Sequence, residues 1–464
     1  MVTVVKDKKN SITFIIIITI FTLLIIYLLI SIYFKNHFFI GTYINGVNVS
    51  FKTVEEADNE LLNESYNYVL EIRERNNVVE YIEGYKINFE YKRNNKIYEL
   101  KKKQNGFLWP KFLLVQNVYN INNVYTYEKS LLDEEFNKLL CFAKENIIEP
   151  LDACFHYNGT EYEIIKEVYG NKVNKDYLHA YILNSVLIGR ETIDLEEINA
   201  YEYPDFISTS EKVIEVQKQL NTFVSTIVYY SFDNEIEVLD GNIINEWLEV
   251  DQFMNVVFNE KKIKEYLKDL SIKYDTYGNT RNFKTTTGKI LEVVGGNYGW
   301  KIDKNKEFDE LINNIKSGKI IKKEPLYIQK AWGTRENDIG NTYVEINLTN
   351  QYLWFYKNGE LIVQGDVVTG NVSRGNATPQ GTYILNYKQK DATLKGAGYS
   401  SNVKYWMPFN CNIGIHDASW RGSFGGAIYK SDGSHGCVNT PEYLAKKIYE
   451  NIEPGTPIVC YKEE

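Results

Sequence analysis

The chain has 464 residues, of which 44% are hydrophobic and 24% are charged. This composition is typical of globular proteins, and the length suffices for about three domains. The formal net charge of −9 argues against nucleic acid as the main partner, because phosphate binding requires a basic surface. Five cysteines in a chain of this length exclude a disulfide-rich secreted scaffold and a zinc module with many cysteine ligands.

The N-terminal region contains one long run without charge. Residues Ser11 to Phe34 are 24 uncharged, mostly apolar residues, which as a helix would reach about 36 Å and cross a hydrocarbon core of ~30 Å. A signal peptide is the main alternative, but its apolar region is usually shorter and ends in a small-residue cleavage site. Because Lys35 and Asn36 follow instead, we interpret residues 1–38 as a short leading segment and an uncleaved single-pass membrane anchor.

The charges on either side of this run predict its orientation. Lys6, Lys8 and Lys9 precede the run, whereas only Lys35 follows it closely. The positive-inside rule then places residues 1–10 in the cytoplasm and the bulk of the chain on the outer side of the cell membrane.

The region after the predicted anchor is rich in short strand-like runs. Residues 39–125 contain one predicted helix, which begins at an N-cap Thr53 with Glu56 three residues later. We interpret these residues as a strand-rich N-terminal module.

Two later stretches resemble each other. Residues 170–175 and 299–304 share the pattern Gly-x-Lys-(Val/Ile)-(Asn/Asp)-Lys, and each leads into an amphipathic run that ends at a glycine 19 residues after the first. The Asn or Asp suits a helix N-cap, and the final glycine suits the residue after a helix. We interpret residues 126–210 and 211–324 as two copies of one α+β module, the alternative being chance similarity between two strand–turn–helix units.

Residues 325–464 change to short β runs at close spacing. The dipeptide Asn358-Gly359 lies between two such runs and predicts a hairpin. One clear helix is predicted from Pro441 to Asn451, with Thr440 as its N-cap. The chain is thus predicted to be multidomain, with a single N-terminal transmembrane helix, repeated α+β modules and a mostly-β C-terminal domain.

Three reactive side chains fall close together in this last domain: His416, His435 and Cys437. A nucleophilic cysteine needs a base, a group that orients the base, and N–H donors aimed at the developing oxyanion. Gly436 lets the backbone beside Cys437 bend so that successive N–H groups converge, and His416 is the candidate base. The alternatives are a cysteine that only fills buried space and a zinc site, although His-x-Cys lacks the usual spacing of zinc ligands.

The motif around these residues resembles the signature of the YkuD-type L,D-transpeptidases. His416, a gap of seventeen residues, and then Ser434 to Asn439 (Ser-His-Gly-Cys-Val-Asn) follow the family's pattern. Further upstream, Gln351 to Trp354 and Thr378 to Gly381 resemble the strand framework of that domain. The resemblance covers residues 340–463, and the two repeated modules resemble the peptidoglycan-binding modules that precede such domains.

The resemblance implies a cysteine-dependent L,D-transpeptidase that uses peptidoglycan stem peptides as donor and as acceptor, without a cofactor or a metal. Cys437 would attack the carbonyl of the third residue of a tetrapeptide stem and release the terminal D-Ala. The acyl group would pass from the thioester to the side-chain amine of another stem, which gives a 3→3 cross-link. Capture by water would instead make the enzyme an L,D-carboxypeptidase, and an inactive wall-binding protein is the other alternative.

The resemblance also implies roles for individual residues. His416 would accept the thiol proton, and the resulting ion pair would lower the pKa of Cys437. The main-chain carbonyl of Asp417 would orient the histidine ring, with help from its side chain, and the N–H groups of His435, Gly436 and Cys437 would form the oxyanion hole. Carbapenem-type β-lactams are expected to acylate Cys437. Candidate substrate-binding residues are Tyr405, Trp420, Ser434 and Asn439. The alternatives are that Tyr405 is an aromatic residue of the β core and that Asn439 caps the turn by a hydrogen bond to its backbone.

Overall fold

The computed structural model of the chain describes residues 2–396 and 399–463. It divides into a first unit of residues 1–154 and 164–210 and a second unit of residues 155–163 and 211–464. The helices are α1 Val2–Asn36, α2 Val54–Tyr66, α3 Lys96–Lys102, α4 Lys129–Asn137, α5 Lys175–Leu187, α6 Glu211–Val224, α7 Gly241–Ile244, α8 Glu260–Tyr274, α9 Lys304–Ser317, α10 Ile428–Asp432 and α11 Glu442–Asn451. Short 3₁₀ segments span Arg75–Asn77, Gly84–Ile87, Gly106–Leu113, Leu140–Phe142, Lys144–Asn146 and Asn245–Trp247.

The strands are mostly short. They are β1 Thr42–Ile44, β2 Val47–Asn48, β3 Val69–Arg73, β4 Val79–Glu83, β5 Glu90–Tyr91, β6 Asn117–Tyr119, β7 Tyr125–Thr126, β8 Cys154–Tyr157, β9 Tyr162–Ile165, β10 Thr192–Asp194, β11 Ile227–Phe232, β12 Glu235–Leu239, β13 Leu248–Val250 and β14 Val256–Phe258. Then come β15 Arg281–Lys284, β16 Ile290–Val293, β17 Lys301–Ile302, β18 Ile320–Lys323, β19 Tyr327–Gln329, β20 Tyr343–Asn347, β21 Tyr352–Lys357, β22 Glu360–Asp366, β23 Gly381–Ile384, β24 Gln389–Gly396, β25 Tyr399–Asn410, β26 Ile413–Asp417, β27 Val438–Thr440 and β28 Pro457–Tyr461.

Helix α1 carries the uncharged run. The most apolar 18-residue stretch within Ser11–Asn36 has a mean hydropathy of 3.1, and in the described part of the chain this is the one helix long and apolar enough to cross a membrane. The C-terminal end of α1 enters the first unit, where Ser31 and Phe34 are buried. Lys101 Nζ donates to the Phe34 carbonyl oxygen over 2.8 Å. The last turns of α1 are therefore part of the packing of the first unit.

A three-stranded sheet in the first unit recurs in the second. In the first unit the hairpin β3–β4 is joined by β10, which runs parallel to β3. In the second unit the hairpin β11–β12 is joined by β18, which runs parallel to β11. The helices α2 and α6 precede the two hairpins, and α5 and α9 precede the two third strands. The fold therefore contains the repeat that the sequence predicted.

The predicted caps define the ends of these helices. The side chains of Asn174 and Asp303 each accept a hydrogen bond from a backbone N–H three residues on, at the starts of α5 and α9. Helix α9 ends at Gly318, whose φ of +65° lies in the left-handed region that glycine adopts without strain. Thr53 and Glu56 form the predicted capping box at the start of α2.

The first copy of the repeat extends further toward the N-terminus than the sequence motif indicates. The hydrophobic core of the first unit runs from Phe38 to Tyr201 and includes residues of both β3 and α5. Residues 39–125 and 126–210 therefore share one core, and the predicted division between them falls inside a copy that spans α2 to β10. The motif that reveals the repeat lies in its C-terminal half, so its N-terminal limit was not visible in the sequence.

Residues from β20 onward form two sheets with a shared core. The first sheet has the order β22-β21-β20-β28-β23, and the second has the order β24-β25-β26-β27. Buried residues of both sheets and of α11 pack together, among them Phe355, Met407 and Leu444. Asn358 and Gly359, with φ of +51° and +85°, form the predicted turn between β21 and β22. The C-terminal domain is thus mostly β, as predicted.

Strand β26 lies between β25 and β27. It pairs antiparallel with β25 and parallel with β27, and His416 lies opposite both Trp406 and Asn439. Parallel pairing joins segments that are distant in sequence. It therefore brings His416 beside the chain around Cys437, which immediately precedes β27.

The start of α11 differs from the prediction by one residue. The N-cap is Pro441, and the helix begins at Glu442. Thr440 ends β27, and its Oγ1 donates to the main-chain carbonyl oxygen of His416 over 3.2 Å. The predicted N-cap role of Thr440 is therefore wrong, because its hydroxyl is used between strands.

The hairpin β15–β16 of the second repeat packs on the C-terminal sheets. Phe283 and Val293 share a small core with Ile339, Val459 and Tyr461. This core joins chain segments on the two sides of residue 325, where the sequence analysis placed the start of the catalytic domain.

Buried polar contacts hold the same hairpin. Arg281 donates from Nε and Nη2 to the two carboxylate oxygens of Asp338, over 2.8 and 2.6 Å, and both side chains are nearly buried. Glu345 on β20 is fully buried and accepts hydrogen bonds from Thr286 and from the Tyr461 hydroxyl. Buried charges are tolerated only with such partners, so these contacts fix the hairpin against the sheet.

Candidate active site

His416 lies on β26, and the backbone fixes its ring. Nδ1 lies 2.9 Å from the main-chain carbonyl oxygen of Asp417, so Nδ1 carries the proton and Nε2 keeps a lone pair. The residue is 4% exposed. This burial lowers the pKa of His416, and the hydrogen bond to Asp417 and the charge of that residue oppose the shift only in part. The imidazole is therefore neutral at pH 7 and able to accept a proton.

The Asp417 side chain has a different partner. Its Oδ1 accepts a hydrogen bond from the Tyr405 N–H over 2.8 Å, and the residue is 2% exposed. The carboxylate thus ties β25 to β26, whereas the main-chain carbonyl of the same residue holds the His416 ring.

Cys437 is 9% exposed and precedes β27. Its Sγ lies 3.5 Å from the carbonyl oxygen of Asn412. Burial raises the pKa of the Cys437 thiol to about 11, and a backbone hydrogen bond at Gly414 opposes this only in part. The resemblance implied a lowered pKa. The free site instead holds a protonated thiol, because burial disfavours the charged thiolate.

Two hydroxyl groups lock the turn that carries Cys437. Ser434 Oγ donates to the Cys437 carbonyl oxygen over 2.5 Å and accepts from the Gly436 N–H over 3.0 Å. Thr378 Oγ1 donates to the Gly436 carbonyl oxygen over 2.7 Å and accepts from the Gly370 N–H over 2.9 Å. Gly436 has a φ of +123°, a conformation open to glycine. The Gly436 N–H, expected to face the oxyanion, is thus donated to Ser434.

A cavity of about 170 Å³ brings the reactive residues together. His416, His435 and Cys437 all line it, so the structure places the three side chains singled out from the sequence at one site. Trp420 forms part of the wall, with its ring centroid 6.0 Å from that of His416 and about half of its surface exposed. The other lining residues are Leu394, Ser401, Arg421, Gly433, Ser434 and Asn439.

Tyr405 lies outside this cavity. Its ring packs 5.3 Å from the ring of Tyr449 and borders the core between the sheets. The next residue, Trp406, has its ring centroid 5.9 Å from that of His416. Successive side chains of a strand point to opposite faces, so of these two aromatic residues it is Trp406 that borders the site.

A metal site needs several ligand atoms close together. Among the described residues, Glu74, Glu80 and Cys141 of the first unit have ligand atoms within 4.8 Å of one another. The arrangement at Cys437 is that of a thiol, a base and an orienting carbonyl, which suits nucleophilic catalysis.

Comparisons with known protein families agree with this geometry. A model of the YkuD L,D-transpeptidase catalytic domain matches residues 341–460. A model of a peptidoglycan binding domain matches twice, at residues 84–194 and 206–321. No curated protein sequence matches the chain. The family matches confirm both parts of the resemblance, the catalytic domain and the modules that precede it.

Solved structures of L,D-transpeptidases are among those similar to this chain. The Enterococcus faecium L,D-transpeptidase, solved as a cysteine-to-serine mutant, is 32% identical; the match covers 53% of this chain and 100% of that one, with a TM-score of 0.44. The catalytic domain of an E. faecium L,D-transpeptidase, solved by NMR, is 40% identical over 26% of this chain and 97% of that one, with a TM-score of 0.25. An L,D-transpeptidase from Stackebrandtia nassauensis is 30% identical over 26% of this chain and 55% of that one, with a TM-score of 0.23.

The chain belongs to the L,D-transpeptidase family.

Sequence reasoning missed one charged residue of this L,D-transpeptidase site. Arg421 lines the cavity, yet its side chain is only 11% exposed. Its Nη1 donates to Asp432 over 3.2 Å, and its Nε has no hydrogen-bond partner among the described residues. Asn439 is 3% exposed, and its Oδ1 likewise lacks a partner in the described structure. The signal for Arg421 was a basic residue directly after Trp420, which was already a candidate substrate-binding residue.

Proposed function

We propose that this L,D-transpeptidase forms 3→3 peptidoglycan cross-links through a thioester on Cys437. The observation that carries the proposal is the shared cavity of Cys437 and His416, with the proton of His416 Nδ1 held by the Asp417 carbonyl. This arrangement leaves the Nε2 lone pair available to accept the thiol proton of Cys437. The peptidoglycan-binding modules upstream support peptidoglycan as the substrate.

The acylation half of the reaction follows from these groups. Nε2 of His416 accepts the thiol proton while Sγ bonds to the carbonyl carbon of the third stem residue, and the carbonyl electron pair moves to oxygen. When the tetrahedral intermediate collapses, the bond to the D-Ala nitrogen breaks and the imidazolium returns its proton to that nitrogen. The products are a thioester and free D-Ala.

In the second half of the reaction, the acyl group passes from the Cys437 thioester to an acceptor stem. The side-chain amine of an acceptor stem attacks the thioester carbonyl, and His416 takes a proton from that amine. The carbon–sulfur bond then breaks, and the proton passes to the sulfur, which restores the Cys437 thiol. Attack by water at this point would give the L,D-carboxypeptidase product instead.

The proposed oxyanion hole consists of the N–H groups of His435 and Cys437. The Gly436 N–H is engaged by Ser434, so the role of Gly436 and Ser434 is to hold the turn in which these donors lie. Removal of one such donor typically costs about 3 kcal/mol of transition-state stabilisation.

The test uses the full chain in detergent with a disaccharide-tetrapeptide substrate and mass spectrometry. We expect a dimer that has lost one D-Ala, and no such product from Cys437→Ala. A tripeptide without dimer would assign the enzyme as a carboxypeptidase. An unreacted substrate with folded wild-type protein would contradict the proposal and favour the inactive wall-binding alternative.

We further propose that α1 is a retained anchor and that residues 1–10 are cytoplasmic. The buried positions of Ser31 and Phe34 within the first unit support retention, because removal of the helix would take part of that unit's packing with it. The lysine distribution around the helix supports the orientation. The bulk of the enzyme would then lie at the cell wall, where its substrate is.

A further inference from the structure

The segment of residues 106–115, Gly-Phe-Leu-Trp-Pro-Lys-Phe-Leu-Leu-Val, is unusually apolar for an exposed surface. Its first eight residues form the 3₁₀ segment Gly106–Leu113. Leu114 is 96% exposed, and four further large apolar side chains of the segment are about half exposed: Phe107, Leu108, Leu113 and Val115. A contiguous exposed apolar patch of this kind usually marks a contact surface.

This segment lies directly against the apolar part of α1. Tyr27 OH donates to the Phe107 carbonyl oxygen over 2.8 Å. The Trp109 ring lies 6.2 Å from the Tyr27 ring and 6.3 Å from the Phe34 ring. A Cβ at Gly106 would lie 2.5 Å from the Ser31 carbonyl oxygen, so only glycine allows the segment to approach the helix so closely.

The depth of this contact follows from helix geometry. Tyr27 is seven residues before Phe34, the last uncharged residue of the run. At ~1.5 Å per residue, Tyr27 lies about 10 Å inside the end of the apolar run. In a membrane spanned by α1, the segment would therefore sit at the level of the outer-leaflet acyl chains.

The chemistry of the segment suits that level. Part of its backbone is paired, since residues 106–113 form a 3₁₀ segment, the Asn105 side chain accepts from the Phe107 N–H and Tyr27 OH donates to the Phe107 carbonyl oxygen; paired backbone groups are less costly in a lipid environment. Its one charge is Lys111, whose long side chain can carry the ammonium toward the headgroups. Between the segment and α1 lies an apolar cavity of about 460 Å³, whose lining includes Ile30, Phe51 and Leu113. A hydrocarbon chain is the occupant that matches such walls.

We infer that residues 106–115 form a second membrane contact, inserted among the phospholipid acyl chains of the leaflet from which α1 emerges. This inference rests on the proposed anchoring by α1, with which the segment is continuous. The first unit is thus held to the bilayer at two points, a spanning helix and an inserted segment beside it.

The test is photolabelling of the full chain in phospholipid vesicles that contain a phosphatidylcholine with a diazirine in its acyl chain. Peptide mass spectrometry then locates the lipid adducts. We expect adducts on residues 11–36 and also on residues 106–115. Ile148 and Leu151 are exposed apolar residues of the same unit and serve as the unlabelled control.

A pair of double variants sharpens the result. Leu108→Ser with Leu114→Ser should lower labelling of the segment at least fivefold and leave labelling of α1 unchanged, because both side chains are exposed and do not support the core. Ile148→Ser with Leu151→Ser should change neither. Adducts on α1 with none on residues 106–115 would overturn the inference. This result would indicate that a protein partner, and not lipid, covers the apolar face of the segment. Absence of adducts on α1 would contradict the anchor itself.

Discussion

At the scale of single residues, the position of one proton controls the reactivity of the site. Burial raises the pKa of Cys437 to about 11 and lowers that of His416. Both shifts favour the uncharged pair of thiol and imidazole in the free enzyme. In the proposed mechanism, charge then develops only as the thiol attacks, at the point where the oxyanion donors act.

This state predicts the pH dependence of thiol alkylation. We expect the rate of Cys437 alkylation by iodoacetamide to rise about tenfold per pH unit between pH 7 and pH 10, because the thiolate is the reactive form and its fraction grows below a pKa of about 11. The rate can be followed by mass spectrometry of the peptide that contains Cys437. A plateau between pH 6 and pH 8 would indicate a preformed ion pair instead.

Arg421 provides a residue-scale prediction about the substrate. Its partly unsatisfied guanidinium lines the cavity, and in the proposed reaction the terminal carboxylate of the donor stem lies next to the bond that is cleaved. Arg421→Gln should therefore raise KM for the tetrapeptide about tenfold or more, with a smaller change in kcat, as loss of a charge-assisted hydrogen bond implies. Steady-state kinetics measures both constants.

Two comparisons isolate this contact. Arg421→Lys keeps the charge without the planar fork and should give an intermediate KM. A tetrapeptide with a C-terminal amide should bind wild type and Arg421→Gln equally. Equal KM values of wild type and Arg421→Gln for the free-acid tetrapeptide would show that Arg421 does not bind the terminal carboxylate of the substrate.

At the scale of elements, the β15–β16 hairpin acts as a support for the catalytic sheets. Phe283 packs on Val459 and Tyr461 of β28, an interior strand of the first sheet that pairs with β20 and β23. A change in the second repeat can therefore destabilise the sheet whose core also supports β26.

Phe283→Ala should lower the stability of the second unit by about 3–5 kcal/mol, the usual cost of a large buried aromatic side chain. Ile290→Ala is the matched control, because Ile290 lies on the same hairpin but is 70% exposed, and it should change stability by less than about 0.5 kcal/mol. Denaturant-dependent proteolysis, read out on peptides of β20 to β28, measures both. Equal effects of the two variants would argue against the supporting role.

The sequence could predict features that depend on adjacent residues and not those that depend on strand register. The Ser434 to Asn439 motif, the Asn358-Gly359 turn and the capping box of α2 are local, and each was predicted. The register of β25 against β26 decides which of Tyr405 and Trp406 points toward the site. A shift of this register by one residue would exchange the two side chains between the faces of the sheet. The use of the Gly436 N–H by Ser434 likewise depends on the exact shape of a turn.

At the scale of the whole molecule, the cysteines report the topology without any mutation. The five cysteines are free, with Cys154 and Cys411 exposed and Cys141 and Cys460 buried. If the bulk of the chain lies outside the cell, a membrane-impermeant maleimide added to intact cells should label Cys154 and Cys411. Cys141 and Cys460 should react only after denaturation.

Peptide mass spectrometry identifies the labelled positions. A chain with Cys154→Ser and Cys411→Ser provides the background, since both substitutions are at exposed sites. Labelling of the exposed pair only after the membrane is permeabilised would reverse the proposed orientation.

The burial of Ser31 and Phe34 also bears on how the outer part of this enzyme can be prepared in soluble form. A fragment that starts after Asn36 would lack Phe34 and leave the faces of Trp109 and Phe51 without the helix that covers them. Such a fragment should aggregate through this bare surface. A start near Tyr27, with a detergent shell around residues 106–115, would keep the first unit whole, because in the proposed topology the folded part of the protein ends inside the bilayer and not at its surface.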